Sequence, residues 1–355
     1  MRAWGDLPGD DPERDRAEMK AAIEAAGIDL DPVPPGSHRH GDETHPSDHA
    51  HPHEHSAPGE PPVIGIVGAG AVGTALGVAL SRAGWPIHAV ASRDARRRDR
   101  FRSLVDVPRV FVDPEPILDE VELIVLAVPD DAVAPLAGSL RMYSGQAMIH
   151  TSGALGAEVL APAMAAGTQI GAFHPLVAFA DTERAVAALH GATVAIEGDD
   201  QLAALLADMA EAIGATPVRL AAGSKSAYHA AAVLAAGGLV ALLDAIAELG
   251  RVAGLDEAGA LSIYGPLIEG TLGNARVLGI RSALTGPMTR GDIGTLRAHL
   301  WTLQTHAPDV LDLYVAAAVR EVALAEARGA LAPEDATKMR EVLASALRGG
   351  PEPVP

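Results

Sequence analysis

Residues 62–77 read PVIGIVGAGAVGTALG, and the rest of the chain is arranged around them. An apolar run, Val63 to Val67, ends in Gly68-Ala69-Gly70-Ala71-Val72-Gly73. An alanine-rich stretch at helical spacing follows as far as Ala83-Gly84. Strand, glycine turn and helix, in that order, open a dinucleotide-binding βαβ unit. Gly68 permits a tight turn off the strand, and Gly70 lacks the Cβ that would hold a pyrophosphate away from the backbone. Gly73 lets the helix pack closely on the strand. Free backbone N–H groups at the start of that helix favour phosphate.

Composition narrows the class. The chain has 355 residues, 48% of them hydrophobic, which is enough for two domains with large cores. It has no cysteine, so disulfides and thiolate metal sites are excluded. A formal charge of −19 argues against a nucleic-acid partner. No uninterrupted apolar run reaches the roughly 18 residues of a membrane span, and the acidic start does not resemble a signal peptide. A cytoplasmic protein is expected.

Residues 1–60 read as a disordered, acidic, His-rich extension with 14 acidic and 5 basic residues. Asp11 caps a short helical pattern through Ala26. After Pro35 come His38, His40, His45, His49, His51, His53 and His55. Flexible imidazoles of this kind chelate metal weakly, and a solvated linker fits the same composition. No metal site is expected in the folded domains.

Residues 61–221 alternate strand and helix. After β-type segments at 63–67 and 85–91, strands are expected at 109–112, 123–128, 147–150, 169–173, 193–196 and 217–220, with a helix at 199–213. From 222 to 348 the strand signals stop, and long Ala- and Leu-rich helical patterns take over. Residues 349–355 form a tail. The fold class is therefore α/β, a Rossmann-type parallel sheet followed by an all-helical domain.

Cofactor choice is written at the end of the second strand. An NAD enzyme usually carries Asp or Glu there, whereas this chain has Ser92 and Arg93, with Arg96 and Arg97 on the helix behind. NADP is expected over NAD, and Asp94 is expected to cap the helix. Ala127-Val128-Pro129 ends a central strand where backbone would line the nicotinamide ribose. Thr151-Ser152-Gly153 and Phe173-His174-Pro175 end two more, and ligands of open α/β sheets bind outside such ends. Lys225 and His229 open the first long helix four residues apart, on one face. Only Lys20, Lys225 and Lys338 are lysine. A lysine ammonium can release a proton near neutral pH, which arginine cannot, so Lys225 is a candidate general acid.

The order of features resembles the Rossmann-like plus DUF2520 proteins of the β-hydroxyacid and 6-phosphogluconate dehydrogenase-like superfamily. The resemblance rests on GIVGAGAVG at 65–73, ASR at 91–93, LAVPD at 126–130, HTSG at 150–153 and FHPL at 173–176. It continues in KSAYHAAAVLAAGGLVAL at 225–242 and LTGPMTRGDIGTLRAHL at 284–300. Superfamily members usually pair the lysine with Asn where this chain has His229, and Gly237 stands where the family pattern expects Asn. The resemblance implies an NADP-dependent reduction of a small 2-keto acid, 2-ketopantoate being the first candidate. Lys225 would give the proton, His229 would tune it, and Ser152, Gly153, His174 and Arg290 would hold the substrate, Arg290 clamping its carboxylate. It also implies a homodimer built through the helices. His174-Pro175 is similar to the His-Pro of prephenate dehydrogenases, a second enzyme reading. A third is a non-catalytic NADP-binding or metal-handling protein.

Overall fold

The computed structural model describes residues 37–40, 43–46, 60–221 and 223–349. The helix expected at 11–26, the histidines from His49 to His55 and the tail beyond Gly349 lie outside the described residues. Within the extension, the backbones of Ser37–His40 and Glu43–Pro46 pair antiparallel, so His38, His40 and His45 fall on one short ribbon.

Eight strands form one sheet: β1 (Ile64–Val67), β2 (Ile87–Ala91), β3 (Arg109–Phe111), β4 (Leu123–Leu126), β5 (Ala147–His150), β6 (Gln169–Pro175), β7 (Thr193–Glu197) and β8 (Thr216–Arg219). Their order is β8-β7-β6-β5-β4-β1-β2-β3. The expected parallel sheet holds for β1 to β6, while β7 runs antiparallel to β6 and β8 follows β7. Between β6 and β7 the chain passes through Thr182–Leu189, and β7 starts beside the end of β6, with Val194 paired to Pro175.

Both faces of the sheet are covered, and the alternation of a buried strand is visible along β1 and β4. Ile64, Ile66, Leu123 and Val125 face one core with Phe101, Leu202 and Leu206. Val67, Ile124 and Leu126 face the other with Val133 and Leu160. The helices that supply these partners are α1 (Ala71–Arg82), α2 (Ala95–Leu104), α3 (Glu115–Leu118), α4 (Asp130–Ser139), α5 (Thr182–Leu189) and α6 (Asp200–Ala212). A 3-10 segment, Ala157–Ala166, bridges β5 and β6.

Beyond β8 the chain is helical: α7 (Lys225–Val252), α8 (Glu257–Leu278), α9 (Ile280–Ala283), α10 (Pro287–Arg290), α11 (Ile293–His306), α12 (Leu311–Ala327) and α13 (Pro333–Ala346). A π-helical turn, Leu234–Gly238, interrupts α7. The last helices close around Leu296, Leu300, Val322, Met339 and Leu343. The rear of α7 joins them where Ala245 meets Leu303, Ala307 and Val310. The middle of α7 and most of α8 are bare: Leu234 is 73% exposed, Leu267 66% and Val277 84%. An 18-residue window of α7 has a mean hydropathy of 2.1. By length and composition α7 thus meets the measure of a membrane span, although its apolar residues are interrupted by polar ones.

Candidate functional site

A cleft of about 730 Å³ opens at the C-terminal ends of β1, β2 and β4, lined by the glycine turn, Ser92, Arg93 and Ala127 to Pro129. The turn is built for close approach. Gly68 has a φ of +109°, and a Cβ there would run into the carbonyl oxygen of Ala127. A Cβ on Gly73 would strike the carbonyl oxygen of Gly68, whereas one on Gly70 would meet only an Arg97 nitrogen at 3.9 Å. Gly70 therefore leaves space on the cleft side. It is also the N-cap of α1 and brings no side-chain bond, while Asp94, Asp181, Asp199, Asp256 and Asp292 cap other helices. The first N–H groups of α1 are left to a ligand. A dinucleotide fits this cradle.

At the end of β2 the Asp94 side chain accepts from Arg97 N at 3.2 Å, the capping role the sequence suggested. The neighbouring arginines divide their work. Arg98 donates to the Ser92 carbonyl, and Arg100 to Thr182 Oγ1 at 2.9 Å. Arg93 and Arg97 line the cleft, as do Asp113 and Glu115.

Next to the cleft, on β5, β6 and the start of α7, polar groups converge. Lys225 is 4% exposed, and its Nζ has no hydrogen-bond partner among the described residues. Its nearest opposite charge is Glu197 Oε1 at 3.9 Å. Burial pushes the Lys225 ammonium below its ordinary range, and Glu197 and Glu158 oppose that shift. His229 lies one turn on; its Nδ1 is buried and likewise without a partner. Its ring stands edge-on to His174, centroids 5.8 Å apart. His174 Nδ1 shares a hydrogen bond with Tyr228 Oη at 3.2 Å. Burial, with the Lys225 charge adding to it, lowers the His174 pKa to about 4, so this imidazole is neutral near pH 7. A Cβ on Gly153 would collide with His229 Nδ1 and His174 Nε2. The two rings thus crowd the same bare backbone.

The expected residues fare unequally. Lys225, His229, His174 and Gly153 come together. Ser152 sits beside them, but its Oγ accepts from the N–H groups of Ala154 and Leu155 at 3.1 and 3.0 Å, which shapes the loop. Arg290 is elsewhere. It ends α10 beside the C-terminal cluster, exposed, and no hydrogen bond or ion pair described for it reaches the sheet. Gly237 lies on the π-helical turn with nothing within 4 Å of its would-be Cβ. It is twelve helical positions from Lys225, about 18 Å along the axis, so an amide there would not reach the lysine. Glu197, Glu158 and Tyr228 were missed. Tyr228 stands inside the quoted KSAYH, and Glu197 is a carboxylate closing the otherwise apolar run TVAI, a signal open to notice.

Two family models match: Rossmann-like domain over residues 52–175, and Domain of unknown function DUF2520 over residues 192–320. The chain thus carries a Rossmann-like segment followed by a DUF2520 segment. The second match begins at β7, where the sheet reverses direction, so the change of family and the change of strand sense coincide. No curated protein matches the chain. Among solved structures, a protein described as an NADP oxidoreductase from Bacteroides fragilis is 24% identical with a TM-score of 0.62, covering 74% of this chain and 98% of its own. A 1-pyrroline-5-carboxylate reductase from Streptococcus pyogenes is 16% identical with a TM-score of 0.53, covering 75% and 98%. A reductive aminase from Aspergillus terreus, in complex with NADPH and ethyl-5-oxohexanoate, is 17% identical with a TM-score of 0.51, covering 82% and 95%. At these identities the likeness establishes a common fold.

Proposed function

We propose that the protein is an NADP-dependent oxidoreductase that reduces a small carbonyl compound, with Lys225 as the proton donor. The observation that carries this reading is the Lys225 ammonium, buried and unbonded at the sheet end beside a dinucleotide-shaped cleft. Bound in that cleft, NADPH would supply a hydride. The glycine turn and the N-terminus of α1 hold the pyrophosphate, and Ser92 and Arg93 meet the 2′-phosphate. Lys225 gives a proton from Nζ to the oxygen that the arriving hydride turns into an alkoxide, so the product is an alcohol. His174, neutral and fixed through Tyr228, and His229 bound the reacting centre, and Gly153 leaves room beneath them.

A 2-keto acid supplies both the carbonyl and a carboxylate, and it remains the first substrate to try. The similar solved structures named for a reductive aminase and a pyrroline carboxylate reductase add C=N compounds to the panel. Arg290 keeps its role as carboxylate clamp only if a second copy brings it to the site. Such a copy also accounts for the bare apolar faces of α7 and α8, so a homodimer through these helices belongs to the proposal, with no membrane partner.

The test is NADPH oxidation with 2-keto acids, and with ketones plus ammonia, on the parent and on Lys225→Met. The substitution should cut turnover by about 10²–10⁴ while leaving NADPH affinity unchanged. Near-parental turnover would reduce Lys225 to a structural residue. Prephenate with NADP⁺ separates the second enzyme reading, and tight NADPH binding with no turnover on any substrate marks a binding protein.

A further inference from the structure

We propose that Glu197 is a positioning residue that holds Lys225 as an ammonium ion while leaving its hydrogens free for a substrate. The inference rests on Lys225 as the proton donor, and three observations carry it.

The sheet register is the first. His150, Ala172 and Glu197 lie in one row across β5, β6 and β7, so their side chains share a face. That row exists because β7 reverses, which lays the end of β7 beside Ala172 and level with the end of β5. The second is how Glu197 is anchored. Its Oε2 accepts from Ala157 N at 2.8 Å, while Oε1 is 3.9 Å from Lys225 Nζ. The carboxylate cannot swing away, and at that separation it opposes the charge without taking a hydrogen bond. The third is burial: the two side chains are 5% and 16% exposed, so water screens the pair little.

The other groups facing Lys225 do not replace Glu197. His150 accepts from Ser152 N at Nδ1 and bonds the Gly156 carbonyl through Nε2, so it is a neutral, fully engaged imidazole. His174 is neutral above about pH 4. His229 lies on the same helix and brings no negative charge. Asp130, beyond β4, acts on His150 and His174. Glu158, on the 3-10 segment, adds a weaker attraction than Glu197. Burial lowers the Lys225 pKa, and Glu197 is the main force against that shift.

The chain has three lysines, Lys20, Lys225 and Lys338, so the full-length protein labelled with ¹⁵N-lysine gives three Nζ signals, assigned with Lys20→Arg and Lys338→Arg. Glu197→Gln keeps an acceptor for Ala157 N and the size of the side chain, and removes the charge. The titration midpoint of Lys225 should fall by about one pH unit or more in Glu197→Gln, the scale of an opposite charge at this range. It should fall less in Glu158→Gln. Glu197→Asp, one methylene shorter, draws the carboxylate back and should lower the midpoint by a smaller step, which keeps the test alive if Gln is not tolerated. An unmoved or raised midpoint in the Glu197 variants, or a larger fall in Glu158→Gln, would overturn the proposal. With a substrate in hand, activity needs the protonated amine, so the alkaline limb of kcat should move to lower pH in Glu197→Gln with NADPH affinity unchanged. Retained turnover in Lys225→Met would defeat the proton-donor reading alone, because the titration decides the role of Glu197 without it.

Discussion

The sheet and the first two long helices of the second domain both carry many apolar side chains, yet only the sheet is closed over within a single chain. Ile64, Ile66, Leu123, Ile124 and Leu126 are fully buried, closed in by helices on both faces. Along α8, Leu267 and Val277 stand in solvent, and only 11% of the apolar window of α7 is covered. The contrast teaches that apolar content alone does not say where a core will close. It also divides the molecule's tasks: the closed half carries the nucleotide cleft, and Lys225 stands at the seam.

The largest effect should come from the open half. Replacing Leu267 and Val277 together with Glu should weaken self-association by about 10³-fold or more, since each apolar side chain returned to water costs about 1.5–3 kcal/mol and counts once per copy. Sedimentation velocity reads this, with NADPH affinity as an internal control expected to stay constant. A parent that is monomeric at micromolar concentration, or that co-pellets with lipid vesicles, would break the division as drawn.

At the seam the expected effect is smaller and depends on pH. The folded His174 pKa is about 4, below its ordinary value, so the unfolded chain takes up the proton first as acid is added. Its stability contribution is complete above about pH 6.5 and is lost as pH falls toward 4, by up to about 3 kcal/mol. Urea unfolding of the parent at pH 7 and pH 4.5, set against His174→Gln, measures it. If the variant loses as much stability on acidification as the parent, His174 is not the group responsible.

The smallest effect belongs to the closed half alone. Calorimetric titration should find NADPH bound at least about tenfold more tightly than NADH, a gap of about 1.4 kcal/mol, and Arg93→Ala should remove most of it. Equal affinities in the parent would leave Asp113 and Glu115, which also line the cleft, as the stronger influence on the ribose.

Much of the closed half was legible in advance because each strand carries its own punctuation. Gly68, Pro129, Ser152 and Pro175 all mark strand ends that the structure places along one edge. The sense of β7 was not legible, because direction depends on the length and path of the α5 connection rather than on the residues of the strand. The shared face of Lys225 and His229 followed from helical spacing, a local rule. The place of Glu197 did not, because its relation to Lys225 crosses 28 positions and needs the reversed strand. Arg290 shows the limit of motif transfer: its sequence matches, yet within one chain it stands apart from the site it was expected to serve.

The π-helical turn at Leu234–Gly238 gives α7 two independent angular settings. A regular helix advances about 100° per residue, so one face dictates every later one. The widened turn holds roughly one residue more than an α turn, which sets the following stretch back by about that angle. Lys225 and His229 can therefore be aimed at the sheet while Ala245 is aimed at the bundle, on a single rod. Removing one residue from this turn would leave both ends helical and turn one relative to the other, so the placement of Lys225 and the bundle contact could no longer be satisfied by the same helix.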